Sequence, residues 1–188
     1  MRPRAKPEAA LPQGLVRLVA VAATAALWVG LYTLNDWALS RFAESKAASW
    51  IFLPAALRLL AVLLWGWAGA LGLWIGAVVT ASLVFGLGWS IVFIVAPASG
   101  LAPLLAVRLL RQRLGLRPDL QGLGAGGLVQ LAAASATCSA LLHSLVFLWL
   151  GSPIADPADM LTMLVGDLAG TFVVLYALKL LLAALPRR

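Results

Sequence analysis

Three ionisable residues lie well inside long apolar runs of the sequence: Arg58, His143 and Asp167. At ~1.5 Å of rise per helical residue, Arg58 is about 12 Å from the start of its run, and the other two are each about 10 Å from one end of theirs. A lone charge near the centre of a bilayer costs at least ~2.5–3.5 kcal/mol, so such groups face the bundle interior and pair. We therefore predict a buried Arg58–Asp167 ion pair, with His143 beside it. A guanidinium can hold a carboxylate at two points.

This intramembrane polar layer has two interpretations, and the residues alone leave both open. In the first, the ion pair is a structural clamp that fixes the register of the helices. In the second, Arg58, His143 and Asp167 form a small-molecule or ion site that opens toward the outside of the cell, since ionisable residues inside a membrane often mark such pathways. Taken alone, His143 is more typical of an interior histidine whose hydrogen bonds are made within the protein. It becomes a candidate site residue because Arg58 and Asp167 are predicted at a similar depth.

A second candidate feature is a helix break at residues 96–103, where Pro97, Gly100 and Pro103 interrupt an apolar run. Backbone groups that are freed at membrane depth must be satisfied by protein or must line a water-filled cavity. Discontinuous helices of this kind border the binding sites of transporters. The break is therefore a candidate wall of a site, and a simple proline kink is the alternative.

The remaining polar residues argue against catalysis and against a bound metal or cofactor. The chain has one cysteine, Cys138, and one histidine, which excludes an internal disulfide and a cysteine or histidine metal cluster. It also lacks a Gly-rich phosphate loop and an HExxH motif. Gly166-Asp167 resembles the motif of intramembrane aspartyl proteases, but no second membrane aspartate accompanies it. Ser139 and His143 are one helical turn apart, without an oriented base or an oxyanion hole. We predict no enzymatic activity and no cofactor.

The elements that must position these residues are transmembrane helices. Of the 188 residues, 63% are hydrophobic and 11% are charged, whereas soluble domains have about 25% charged residues. The chain is therefore predicted to be an integral membrane protein. A span needs about 20 apolar residues, and six candidate spans follow a basic cytoplasmic tail at residues 1–14. The predicted fold is an all-α, polytopic bundle of six transmembrane helices in one domain (residues 15–186), with spans at about 15–34, 50–66, 67–86, 88–110, 123–150 and 160–184.

The distribution of basic residues predicts the topology. The net charge of +7 would suggest nucleic acid in a soluble protein, but here most Lys and Arg residues lie at the ends of the spans, as the positive-inside rule requires. With both termini cytoplasmic, the outer loops hold only Arg41 and Lys46. We therefore predict a multi-pass, N-in/C-in protein of the bacterial inner membrane. Its predicted partner is the lipid bilayer, and we expect it to bind no nucleic acid. The tryptophans are then expected near the two interfaces, with Trp28, Trp37, Trp50, Trp89 and Trp149 at the outer one and Trp65 and Trp67 at the inner one.

Two short motifs are similar to those of bacterial membrane-associated sensor domains of the first type. The stretch Trp50-Ile-Phe-Leu-Pro54-Ala-Ala-Leu-Arg58, which runs into an apolar segment up to Gly72, resembles their early motif of Trp, Pro with small residues, and an apolar run to Gly. The stretch Met163-Leu-Val-Gly166-Asp167-Leu-Ala-Gly170 resembles their closing motif. The resemblance covers roughly residues 50–182.

This resemblance implies a sensor-like module that perceives a small ligand or a membrane state. Members of the family place the domain before a cytoplasmic kinase or a cyclic-dinucleotide enzyme. Because no output domain is found in this sequence, we expect the chain to act through a separate partner protein of the kinase or cyclase type.

Two other functions stay open. Substrate-binding subunits of energy-coupling-factor vitamin transporters are also six-span proteins of similar length, and they dock a transporter ATPase complex through small residues of the first helix. In this chain Ala22 and Ala26, on the first predicted helix, could form that docking surface. The same spacing recurs in Gly72/Gly76, Ala136/Ala140 and Gly166/Gly170, which predicts close helix packing and leaves a homo-oligomer open. A non-catalytic structural membrane protein is the third interpretation.

Overall fold

The computed structural model describes residues 12–39, 49–83, 88–117, 119–151 and 156–184. Every regular element in these ranges is a helix, so the all-α prediction is confirmed. The helices are, in chain order, α1 (Gln13–Leu39), α2 (Pro54–Trp65), α3 (Trp67–Leu83), α4 (Trp89–Val95), α5 (Pro97–Arg111), α6 (Ala125–Trp149) and α7 (Pro157–Ala184). Most of the predicted basic tail, and the outer-loop residues Arg41 and Lys46, lie outside the described residues.

Four helical segments are long and apolar enough to cross a membrane: α1, the stretch Trp89–Arg111 that joins α4 and α5, α6 and α7. This finding agrees with an integral membrane protein. The other two helices are shorter, with 12 residues in α2 and 17 in α3. Contrary to the predicted span at residues 50–66, the chain is not helical before Pro54. Proline at the first helical position lacks only an N–H that would be unpaired there.

Residues 49–53, which we call the pre-α2 segment, run along α7 in close contact with it. A Cβ on Gly166 would overlap the carbonyl oxygen of Ser49, and a Cβ on Gly170 would overlap that of Phe52. The N–H of Phe52 donates to the carbonyl oxygen of Gly166 (3.0 Å), and the N–H of Leu53 donates to a side-chain oxygen of α1, 2.8 Å away. These two hydrogen bonds satisfy backbone N–H groups of the non-helical segment with partners from the protein.

Helix α2 lies at the centre of the bundle. It contacts α1, α3, α5, α6 and α7. Its first six residues and two later ones are buried: Pro54, Ala55, Ala56, Leu57, Arg58, Leu59, Ala61 and Val62. An arginine on such a helix is surrounded by protein and cannot extend to the membrane surface.

The small residues of α3 allow α1 to approach it closely. A Cβ on Gly72 would lie 2.6 Å from the Cβ of Thr24, and a Cβ on Gly76 would lie 2.7 Å from Cδ1 of Trp28. The Gly166/Gly170 pair instead accommodates the pre-α2 segment, which is not a helix. Of the two alanine pairs, Ala136 and Ala140 are buried in α6, whereas Ala22 and Ala26 are exposed on α1.

The fourth predicted span is interrupted at one point only. Helices α4 and α5 meet at Ala96, whose backbone is right-handed helical (φ −57°, ψ −34°), and α5 begins at Pro97. Helix α5 then runs through Gly100 and Pro103, so the predicted break is confined to Pro97. Gly100 has a packing role instead, because a Cβ there would overlap the carbonyl oxygen of Ala70 on α3. This is the simple proline interruption that the sequence left as the alternative.

Candidate functional site

The structure brings the predicted ion pair together inside the bundle. Nη1 of Arg58 lies 2.7 Å from Oδ2 of Asp167 and donates a hydrogen bond to it. The same nitrogen donates to the hydroxyl of Ser139, so the carboxylate is held at one point and not at the two that the sequence suggested. The two charged side chains are 7% and 8% exposed. Helices α2, α6 and α7 therefore meet at a buried group whose charges cancel.

Aromatic rings surround the guanidinium. Cζ of Arg58 lies 5.4 Å from the ring centroid of Trp28 and 4.9 Å from that of Phe52, within the ~6 Å range of cation–π contacts. The rings of Trp28, Tyr32 and Phe52 also contact one another, with centroid separations of 6.2, 6.1 and 5.8 Å. We call these three rings the aromatic cluster.

Helix α3 and the pre-α2 segment fix the aromatic cluster in place. Nε1 of Trp28 donates to the hydroxyl of Thr80 (3.2 Å), which in turn donates to the carbonyl oxygen of Gly76 (3.1 Å). Phe52 belongs to the pre-α2 segment, which is hydrogen-bonded to α7 at Gly166. The orientation of the rings thus depends on the contact between α1 and α3 and on the non-helical backbone before α2.

His143 lies one turn beyond Ser139 on α6. Its Nδ1 is 2.9 Å from the carbonyl oxygen of Ser139. Because a carbonyl only accepts, Nδ1 carries the hydrogen, and Nε2 of the neutral ring is then an acceptor. The ring contacts Phe147 at a centroid distance of 6.3 Å. His143 is adjacent to the ion pair, as predicted, and it lines the same cavity.

A cavity of about 140 Å³ adjoins the ion pair. A cavity of about 150 Å³ in another protein binds benzene, so this one has room for a small organic molecule. The ion pair, His143 and the aromatic cluster all line it. Uncharged polar side chains complete the wall: Asn35, Ser49, Thr80, Ser99 and Ser139.

One face of α1 forms a side of the cavity. Its residues there are Trp28, Tyr32, Asn35, Asp36 and Leu39, a spacing that places them along one side of a helix. At 1.5 Å per residue this wall is about 16 Å long. Trp28 is 2% exposed, whereas Asp36 is exposed. The cavity therefore runs from the buried ion pair to the exposed C-terminal end of α1.

The sequence gives Trp28 and Asn35 the wrong environments. It places Trp28 at the outer membrane interface, but this side chain is buried inside the bundle. The predicted first span ends at residue 34, before Asn35, but α1 continues to Leu39, and buried Asn35 accepts the hydrogen bond from Leu53. A signal was present, because Trp28, Tyr32 and Asn35 follow the i, i+4, i+7 spacing of one helix face.

The arrangement is suited to binding a small molecule. Ligand pockets combine apolar and aromatic walls with a few placed polar groups, and this cavity has both. Among the residues that the structure describes, no three His, Cys, Asp or Glu side chains come together in a way that could hold a metal ion. The cavity wall offers aromatic rings for stacking, hydrogen-bonding groups and one ion pair.

No protein-family model, curated protein or solved structure matches the chain. The likeness to sensor domains accordingly stays a prediction from two short motifs. What the site can do is argued from its own geometry.

Proposed function

We propose that this chain is a membrane-embedded receptor for a small molecule, a sensor-like module that catalyses no reaction and acts through a separate partner protein. The observation that carries the proposal is the cavity, which begins at the buried ion pair and the aromatic cluster and leads along α1 to exposed Asp36. A purely structural clamp needs no space beside it. This ion pair lines a space that is large enough for a small organic molecule.

The position of Arg58 supports a role in signalling. Its guanidinium contacts Trp28 on α1, Phe52 on the pre-α2 segment, Ser139 on α6 and Asp167 on α7. A ligand shifts a protein between conformations only if it contacts them differently. A ligand that binds to Arg58 changes the contacts of four elements at once, and a partner protein on the bundle surface can detect their movement.

One observation favours the alternative function, a substrate-binding subunit of an energy-coupling-factor transporter. Ala22 and Ala26 are exposed on α1, and small residues four positions apart let a second helix approach closely. In that case the partner is a transporter ATPase complex, and the cavity holds the transported substrate.

Isolation of the full chain from its host bacterium in a mild detergent separates these functions. Mass spectrometry then identifies the proteins and small molecules that stay bound. We expect a retained small molecule together with a kinase or cyclase-type protein. An ATPase complex in its place would favour the transporter subunit, and the absence of any retained small molecule would contradict both functions.

We further propose that the chain crosses a bacterial inner membrane six times with both ends in the cytoplasm, α2 and α3 forming the second and third crossings. The pre-α2 segment and α2 together cover about 34 Å, and α3 covers about 26 Å, against about 30 Å of hydrocarbon. Gly66, with φ +55°, forms a tight turn between α2 and α3. The guanidinium of Arg108 lies 5.0 Å from the ring centroid of Trp67, so this turn is level with the basic end of α5.

Cysteine labelling in a Cys138→Ser background tests this topology, since Cys138 is the single native cysteine. A membrane-impermeant maleimide should modify Trp65→Cys, next to the turn, only after the cells are opened. Gln112→Cys should behave in the same way, and Asp156→Cys should react in intact cells. If Trp65→Cys stays unlabelled in opened cells while Gln112→Cys reacts, then α2 and α3 form a re-entrant hairpin and the six-crossing proposal is wrong.

A further inference from the structure

We infer that the cavity takes an uncharged, planar aromatic molecule that carries a hydrogen-bond acceptor. This inference rests on the proposed function, because it assigns a chemical class to the ligand of the same cavity. Three features of the wall lead to it: the balance of its charges, its aromatic rings and the unused donors of Arg58.

The charges at the deep end of the cavity already cancel. Arg58 and Asp167 are paired with each other at 2.7 Å, and the third charged residue of the wall, Asp36, lies at the exposed end. The Nδ1–H tautomer of the His143 ring and the hydroxyl of Tyr32 are uncharged, so these two residues add no charge. An anionic ligand would compete with Asp167 for the guanidinium, and a cationic one would compete with Arg58 for the carboxylate. Either would leave a buried charge unpaired, which is strongly unfavourable.

The rings of the wall favour a planar ligand. The aromatic cluster lies on one part of the wall, and Phe147 contributes a further ring beside His143. Aromatic rings gain from offset or edge-to-face contacts with one another. The volume of about 140 Å³ is close to the roughly 150 Å³ of a cavity that binds benzene, so it suits a single ring with a short substituent.

Arg58 has hydrogen-bonding capacity that the protein does not use. The two hydrogen bonds of Nη1 occupy two of the five N–H donors of the guanidinium. Nε is buried and finds no acceptor among the described residues. Unsatisfied buried donors are costly, so the site favours a ligand that supplies an acceptor. An amide carbonyl does this without disturbing the balance of charges.

Three probes with the same phenyl ring test the inference: 2-phenylacetamide, which is uncharged, phenylacetate, an anion, and 2-phenylethylamine, a cation. Each is titrated at pH 8 against the purified full-length protein, and the dissociation constant is obtained from the shift in the thermal unfolding midpoint. We expect 2-phenylacetamide to bind at least tenfold more tightly than either charged probe.

Asp167→Asn makes the test sharper, because it keeps the shape of the side chain and leaves Arg58 without its counter-charge. Phenylacetate should then bind to the variant more tightly than 2-phenylacetamide. Asp119→Asn is the matched control, because Asp119 is exposed and does not line the cavity, and the order of the three probes should stay as in the wild type. If Asp167→Asn does not fold, the three dissociation constants measured with the wild-type protein decide whether the inference holds.

Equal or tighter binding of a charged probe to the wild type, or no binding of 2-phenylacetamide, overturns the inference. The proposed function is judged separately, by the small molecules that the isolated protein retains. It survives if a charged molecule is retained, and it fails if no small molecule is retained, whatever the order of the three probes.

Discussion

Replacing Asp167 with alanine is expected to destabilise the folded protein by about 3–5 kcal/mol, because the guanidinium of Arg58 is left buried without a counter-charge. Arg58 is 6% exposed on the central helix, so it cannot reach water while the bundle is folded. For a chain of this length, this change corresponds to a fall of about 6–20 °C in the thermal unfolding midpoint. The midpoint and the yield of monodisperse protein in one detergent are the measurements.

The double variant Arg58→Met with Asp167→Leu is the matched control. It removes both charges and keeps apolar side chains in their place, a change that is often neutral or stabilising, so most of the lost stability should return. An unfolding midpoint for Asp167→Ala equal to that of the wild type would show that the pair contributes nothing. If the double variant folds and still retains the small molecule, the pair is only a clamp.

Alanine at Gly166 or Gly170 is expected to have the second large effect. The new Cβ would overlap the backbone carbonyl of Ser49 or Phe52, and a carbonyl of the main chain cannot rotate away as a side chain can. The pre-α2 segment must move, at about 1–3 kcal/mol for ordinary overpacking. Phe52 belongs to this segment and lines the cavity, so its displacement changes the shape of the cavity wall. We expect a lower unfolding midpoint and weaker ligand binding together.

Gly30→Ala on α1 is the control for this pair of variants. A Cβ on Gly30 meets nothing within 4 Å, and alanine is the better helix former by up to about 1 kcal/mol. Its unfolding midpoint should equal or exceed that of the wild type. Should Gly166→Ala and Gly170→Ala also match the wild type, the pre-α2 segment does not pack against α7 as the structure has it.

The ion pair was predictable because it depends on a property that the local sequence gives, the depth of a charged residue within an apolar run. A charge deep in an apolar run is costly enough to require a partner, and Arg58 and Asp167 were two such charges at similar depth. The helical class followed from the length of the apolar runs in the same way. His143 was brought into the site by depth alone, and the structure places its ring on the cavity wall.

The aromatic cluster and the pre-α2 segment were not predictable in this way, because both depend on contacts between distant parts of the chain. The apolar residues from Trp50 onward predicted a helix. The hydrogen bond from Phe52 to Gly166 stabilises a non-helical conformation instead, and Gly166 is too far along the chain for the local sequence to indicate this contact. The sequence alone suggests an interfacial position for Trp28. In the structure its side chain packs against Gly76 and donates a hydrogen bond to Thr80, both on α3. Ser139 attracted attention as a nucleophile, whereas it accepts a hydrogen bond from Arg58.

The central claim is that the space beside the ion pair holds a small molecule, and filling that space tests it most directly. Ala77 is 6% exposed and lines the cavity, so a leucine there takes up part of its volume. Ala133 is exposed on α6 and provides the matched control.

The measurement is the amount of small molecule per protein that mass spectrometry finds after isolation in mild detergent. We predict about one molecule per chain for the wild type and for Ala133→Leu, and a loss of most of it for Ala77→Leu, with similar unfolding midpoints for the three ligand-free proteins. Undiminished retention in a folded Ala77→Leu protein, or no retained molecule in any of the three, would contradict the claim.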